Sequence, residues 1–122
     1  MSDTNQLGPQ GEELACVYLQ EQGYTILERN YRNRVGEIDI VAKEGEHYCF
    51  VEVKAREDDE WGDPLEAITP DKQYRLHKTA LGYIQEKDIF DEYARFDVVG
   101  ILFGINPPKI SLVKNAFEVS SL

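Results

Sequence analysis

The chain is 122 residues long, carries a net charge of −10, and is 42% hydrophobic and 11% aromatic. This predicts one domain with its own core and excludes a disordered chain. The sequence has no apolar run of the roughly 18 residues that a membrane helix needs, and residues 1–11 lack the basic-then-apolar pattern of a secretory leader, so a cytoplasmic protein without membrane contact is expected.

Residues 1–7 read as a flexible tail. A first helix is predicted from about Pro9, a residue suited to a first helical turn, to Gln22, with Gly23 as its terminating glycine. Residues 24–30 read as a strand and 31–35 as a basic loop. Residues 37–42 and 48–55 read as strands joined by a hairpin-length connection that contains Gly45. An acidic stretch, Glu57-Asp58-Asp59-Glu60, then leads to Pro64. Thr69 and Pro70 mark the N-cap and first residue of a second helix that runs to Gln85 or Glu86. Its predicted apolar stripe is His77, Ala80, Leu81 and Ile84. Strands at 95–103 and 109–114 follow, separated by an Asn106-Pro107-Pro108 turn. The order α-β-β-β-α-β-β predicts one α/β domain over residues 1–122, a central mixed sheet flanked by helices. Cys16 and Cys49 sit in apolar patterns and read as buried thiols in a reducing cytoplasm, with a disulfide or metal role as the alternative.

The two central strands carry charge where a strand normally buries apolar side chains. They are Gly36-Glu37-Ile38-Asp39-Ile40-Val41 and Phe50-Val51-Glu52-Val53-Lys54. A turn centred between Gly45 and Glu46 sets Asp39 opposite Glu52 and Glu37 opposite Lys54. Alternation then places these four on one face and Ile38, Ile40, Val51 and Val53 on the other. Two facing carboxylates in a partly buried pocket repel each other unless protonated or bridged by a cation. Hard oxygen ligands favour Mg²⁺ or Mn²⁺, which retain waters, activate one of them and neutralise charge on a phosphate. A neighbouring lysine stabilises the same charge. The pattern also fits a surface salt-bridge ladder, with Glu37 on Lys54 and the other two carboxylates solvated.

A third acid comes from the first helix. Glu12 heads the stripe Ala15, Cys16, Leu19 and points inward, whereas Glu13 shares its side with Gln20 and Glu21. A plain interaction with the helix dipole accounts for an inward Glu12 equally well. Lys72, Arg75 and Lys78 recur every three residues along the second helix. Ordinary surface charge explains them as well as phosphate contact does, and the net charge of −10 argues against tight non-specific DNA binding.

These residues resemble a known family. Gly8-Pro9-Gln10-Gly11-Glu12 with Ala15, Gly23-Tyr24, Arg29-Asn30, Gly36-Glu37-Ile38-Asp39, and Phe50-Val51-Glu52-Val53-Lys54 with Arg56 are similar to the YraN-like bacterial proteins of the restriction-endonuclease-like superfamily. Gly62-Asp63, Glu66-Ala67-Ile68, Lys72, Arg75-Leu76, Ala80 and Phe96-Asp97-Val98-Val99 continue the match, which spans about residues 8–102. The combination is specific, whereas an isolated acid-x-lysine is not. The resemblance implies a restriction-endonuclease-like mixed sheet and an endonuclease site that hydrolyses DNA phosphodiesters with Mg²⁺ or Mn²⁺. Branched or repair intermediates are its implied substrates, as in Holliday-junction resolvases. It implies Asp39, Glu52 and the Val53 backbone carbonyl as metal ligands, Lys54 as the catalytic lysine and Glu12 as the helix glutamate. Glu37 belongs to the motif, and Lys72 and Gln73 are candidates for phosphate contact. Ile38 stands where the superfamily often has proline, a variable position. The superfamily also hosts members without turnover, which leaves open a nucleic-acid-binding or complex-assembly module. A homodimer is a further expectation; the segment 116–122 reads as its contact or as a docked tail.

Overall fold

The structure, a computed structural model, describes residues 2–58 and 64–118, with side chains from Gly8 onward. The sequence features at Asp59, Glu60, Gly62 and Asp63, and at positions 119–122, lie outside the described residues. The elements are α1 (Ser2–Glu21), β1 (Thr25–Arg32), β2 (Glu37–Glu44), β3 (His47–Arg56), a short 3₁₀ turn (Pro64–Ala67), α2 (Pro70–Lys87), β4 (Tyr93–Leu102) and β5 (Lys109–Phe117). The five strands form one sheet in the order β1-β2-β3-β4-β5. β3 and β4 run parallel, and the other neighbours run antiparallel. This is the predicted α/β architecture, two helices on a five-stranded mixed sheet, and it is consistent with a restriction-endonuclease-like fold.

The helices cover opposite faces of the sheet. Ala15, Cys16 and Leu19 of α1 pack on Ile40, Ala42, Cys49, Val51, Val99 and Ile101. Leu76, Ala80 and Tyr83 of α2 pack on Tyr31, Ile38, Val41, Phe50 and Val98. Burying two faces needs apolar residues at successive strand positions, and this is why β2 and β3 read as nearly continuous apolar runs. A parallel β3–β4 pair requires a long crossover, which α2 supplies. The caps follow the sequence. Thr69 Oγ1 accepts from the Lys72 N–H at 3.2 Å, Pro70 opens the helix, and Gly23, at φ 99°, ends α1 with the Tyr24 N–H on the Leu19 carbonyl.

Three expectations are corrected. α1 begins at Ser2 and carries Pro9 inside it, so residues 2–7 are helical where a loose tail is predicted. β1 extends through Arg32, because Tyr31 is a core residue, edge-on to Tyr83 with ring centroids 5.1 Å apart. The buried stripe of α2 is Leu76, Thr79, Ala80 and Tyr83; His77, Leu81 and Ile84 only flank it. Thr79 sits in an apolar stripe because its hydroxyl donates to the Arg75 carbonyl at 2.8 Å.

One buried charge cluster lies at the hairpin end of the sheet. Asp97 is fully buried and accepts from Tyr24 Oη at 2.7 Å, Arg95 Nε at 3.0 Å and the Asn115 N–H at 2.9 Å. Glu44 accepts from Arg95 and, at 2.8 Å, from Lys114 Nζ. Those two cations hold the Glu44 carboxyl below its ordinary range. Burial works against the Arg95 charge, but its hydrogen bonds to Asp97, Glu44 and Tyr24 win and push its pKa up. Anions and cations balance here, and every buried lone pair has a donor.

Candidate active site

The second cluster lies at the opposite end of the same strands. The β2–β3 ladder keeps the predicted register from Glu44–His47 to Ile40–Val51, its last pair. Beyond it the strands part, and the Asp39 carboxylate takes the place of a backbone partner by accepting from the Val53 N–H at 2.8 Å. On the other side, β1 pairs Arg29 with Ile40 and Tyr31 with Ile38, which sets Asn30 beside Asp39. Asn30 has a left-handed φ of 56°, a conformation that asparagine tolerates better than most residues. The pleat is broken there. Ile38 joins the α2 core and Ile40 the α1 core, although residues two apart on a regular strand share a face. The expectation that Ile38, Ile40, Val51 and Val53 form one apolar face is corrected accordingly.

The break decides where the carboxylates go. Asp39 and Glu52 line two cavities, one on each side of the parted strands. The α2-side cavity, about 260 Å³, is also lined by Glu37, Lys72 and Arg75. The α1-side cavity, about 410 Å³, is also lined by Gly8, Glu12, Val53 and Lys54. A regular ladder would show all four charged strand residues to one helix; the parted one opens Asp39 and Glu52 to both.

Glu52 is 9% exposed, and its Oε2 lies 3.7 Å from Lys54 Nζ and 3.8 Å from Lys72 Nζ. Burial and the neighbouring Asp39 outweigh the two lysines and push the Glu52 carboxyl up to about 7. Asp39 is itself raised, chiefly by burial and then by the charge of Glu37, against the lowering pull of the Val53 N–H and Lys54. Glu12 is raised by burial and by Asp39, while a hydrogen bond from the Asn30 side chain favours its charged form. Lys54 is lowered by burial and by the adjacent Lys72 ammonium. Carboxylates that hold protons above their ordinary range beside a lysine, Lys54, that releases its own below it mark a site short of positive charge.

The sequence-predicted residues separate into three groups. Asp39, Glu52, Lys54 and Glu12 meet at one cavity, with Val53 in its wall. Gly11 positions Glu12: a Cβ there would lie 2.9 Å from the Ala55 Cβ, so α1 sits directly on β3. Glu13 faces out and pairs with Arg29 at 3.0 Å. Glu37 and Lys72 line the α2 side, Glu37 facing Arg32 at 3.6 Å. Gln73 is not brought to the site, because its amide donates to the Ile68 carbonyl at 3.0 Å and secures the start of α2. The residue that sequence reasoning missed is Asn30, and Arg75, noted there only in a basic row, lines the α2-side cavity. Asn30 carries a signal, an asparagine near the end of a strand; Arg75 carries only its spacing from Lys72.

Oxygen-donor chemistry fits Asp39 and Glu52. Among the described residues no three acidic, histidine or cysteine groups converge on one point. The site is thus no closed protein cage, and two carboxylates with open space beside them are what Mg²⁺ commonly takes. Among the described residues no helix is long and apolar enough to cross a membrane.

Comparison with known proteins agrees with these motifs. The profile of the uncharacterised protein family UPF0102 matches residues 11–101. A UPF0102 protein of Syntrophus aciditrophicus is 47% identical over 120 residues, covering 98% of this chain and 94% of the relative. One from Clostridium kluyveri is 43% identical over 93% of this chain and 94% of its own length. A third, from Geobacter sulfurreducens, is 44% identical over 93% and 90%. The chain belongs to the uncharacterised protein family UPF0102, the YraN-like family that its motifs resemble.

Proposed function

We propose that this protein is a Mg²⁺- or Mn²⁺-dependent endonuclease that hydrolyses phosphodiester bonds in DNA, with branched or repair intermediates as its substrates. The observation that carries the reading is the Asp39–Glu52 pair, two adjoining carboxyls with raised pKa values at the floor of open cavities. The Asp39 and Glu52 oxygens, with the Val53 carbonyl, would hold the cation. When bound, such an ion supplies an activated water and offsets charge building on the phosphate. Lys54, on the same wall, offers its ammonium to a phosphate oxygen. Glu12, on the wall of the same cavity and raised by burial, would take a proton from water at its carboxylate. Lys72 Nζ lies 3.8 Å from Glu52 Oε2 and would be free to meet a phosphate if Glu52 engaged a cation.

The test is incubation of the full chain with single-stranded, duplex and four-way DNA, with Mg²⁺ and with Mn²⁺. Cleavage that falls by about 10²–10³ in Asp39→Asn and Glu52→Gln is expected. Cleavage that survives both substitutions removes the site from the reaction. The net charge of −10 favours a second reading, a complex-assembly module without turnover. Absence of cleavage with either metal, together with retained nucleic-acid binding, selects it.

A further inference from the structure

The two site cavities belong to a longer feature. The α2-side cavity shares Val35 with a third cavity of about 480 Å³, between the β1–β2 loop and α2, lined by Arg34 and Lys78. The α1-side cavity shares Lys54 with a fourth of about 290 Å³, which lies over β3, β4 and β5. Arg56 and Lys109 rim this fourth cavity, and Pro64, Gly100 and Val113 give it an apolar wall. Neighbouring cavities thus share residues all the way along. This row of adjoining cavities, termed the trough below, has Asp39 and Glu52, which line both site cavities, at its middle.

Cations concentrate on both arms of that trough although the chain as a whole is at −10. On one arm Lys72, Arg75 and Lys78 rise along α2 in steps of about 4.5 Å. Arg34 faces them from a loop that is fastened to α2: Asn33 Nδ2 donates to the Thr79 carbonyl at 3.1 Å, and a Cβ on Gly36 would lie 2.8 Å from Thr79 Oγ1. On the other arm stand Arg56 and Lys109. Among the described residues Arg34, Arg75, Lys78, Arg56 and Lys109 form no ion pair. Two of the acids that line the α2 arm are engaged: Glu37 faces Arg32, and Glu86 accepts from Tyr31 Oη at 2.8 Å. Asp58 stands at the far rim. Cations without carboxylate partners among the described residues, on both sides of a candidate phosphodiester site, match a polyanion that crosses it.

We propose that the sugar–phosphate backbone of one nucleic-acid strand lies along this trough on both sides of Asp39 and Glu52, held by Arg34, Arg75 and Lys78 on one arm and by Arg56 and Lys109 on the other. The inference rests on the reading of the site as one that acts on nucleic acid, and it adds the course of the strand. A strand held on both sides is cut internally and not from an end. Contacts to phosphates fix position without reading bases, so the hold is indifferent to sequence and sensitive to salt.

The experiment is fluorescence anisotropy of the full chain with end-labelled single-stranded oligonucleotides, DNA in one arm and RNA in the other, without divalent metal, across a salt series. Arg75→Ala/Lys78→Ala and Arg56→Ala/Lys109→Ala are each expected to weaken binding and to flatten the log–log salt slope by about 0.7 per cation removed. Lys43→Ala, at the hairpin end over the Tyr48 ring, is the control and leaves the slope unchanged. Loss on both arms of the trough with either oligonucleotide supports the proposal, and the tighter ligand names the sugar. Loss with only one double variant, equal loss with Lys43→Ala, or no binding to either oligonucleotide overturns it. These readouts need no turnover, so a chain that binds on both arms yet never cleaves refutes the nuclease reading and leaves the trough standing.

Discussion

The two ends of the β2–β3 hairpin hold the same kinds of side chain in opposite states. At the hairpin end Asp97 and Glu44 are matched by Arg95 and Lys114 at hydrogen-bond distance, with Tyr24 and the Asn115 N–H completing the set. At the parted end Asp39 and Glu12 stand beside Glu52, the lysines Lys54 and Lys72 both lie against Glu52, and the nearer of those contacts is 3.7 Å. One cluster is closed on itself. The other is left short of positive charge in open space. A buried ionic cluster is stabilising only when its lone pairs and protons are all satisfied, so the first supports the fold and the second weighs against it.

Substitutions at the two ends should therefore move stability in opposite directions. The largest effect is expected from Asp97→Ala, which strands Arg95 without its buried partner and costs about 3–5 kcal/mol in denaturant unfolding. A smaller change of the opposite sign is expected from Glu52→Gln in metal-free protein at pH 8, a gain on the order of 2 kcal/mol. The sign follows from the proton. Glu52 titrates near 7 in the folded chain, above its ordinary 4.5, so the folded state binds a proton that the unfolded state has released. The penalty is absent below about pH 4.5, grows as pH rises and is complete above about 7. Metal-free wild type should gain stability as pH falls from 8 to 5, and Glu52→Gln should flatten that slope. Equal loss of stability from both substitutions would erase the distinction between the ends.

The smallest expected effect is Asn30→Ala. It removes the hydrogen bond that favours ionised Glu12, so the acidic limb of the pH–rate profile moves upward and cleavage falls by about tenfold. An unchanged limb would leave Asn30 with only its backbone role beside Asp39.

Much of this contrast was legible in the sequence, and the illegible part has a physical cause. The Gly45 turn and the apolar runs gave the hairpin register, and the helical phase separated Glu12 from Glu13. Asp97 and Glu52 look alike in sequence, each a lone acid in an apolar strand. What distinguishes them is the company brought by distant elements: Tyr24 and Asn115 to one, α2 with Lys72 to the other. The break at Asp39 is invisible to regular strand alternation, and one left-handed residue on the neighbouring strand, Asn30, coincides with it. The misplaced stripe of α2 has a similar origin, since Thr79 looks polar until its hydroxyl is seen to bond its own helix.

The tight hairpin turn also has a consequence in time. β2 and β3 meet across a local turn, a contact that forms on the order of microseconds. β3 meets β4 only after the crossover through α2 has been laid down, a slower, non-local closure. Asp39 and Glu52 are thus pressed together before Lys72 arrives. Glu52→Gln should accelerate folding, whereas Lys72→Ala should act mainly by speeding unfolding, a difference that stopped-flow chevrons would resolve. The chain meets the repulsion at its centre early and carries it through to the folded state.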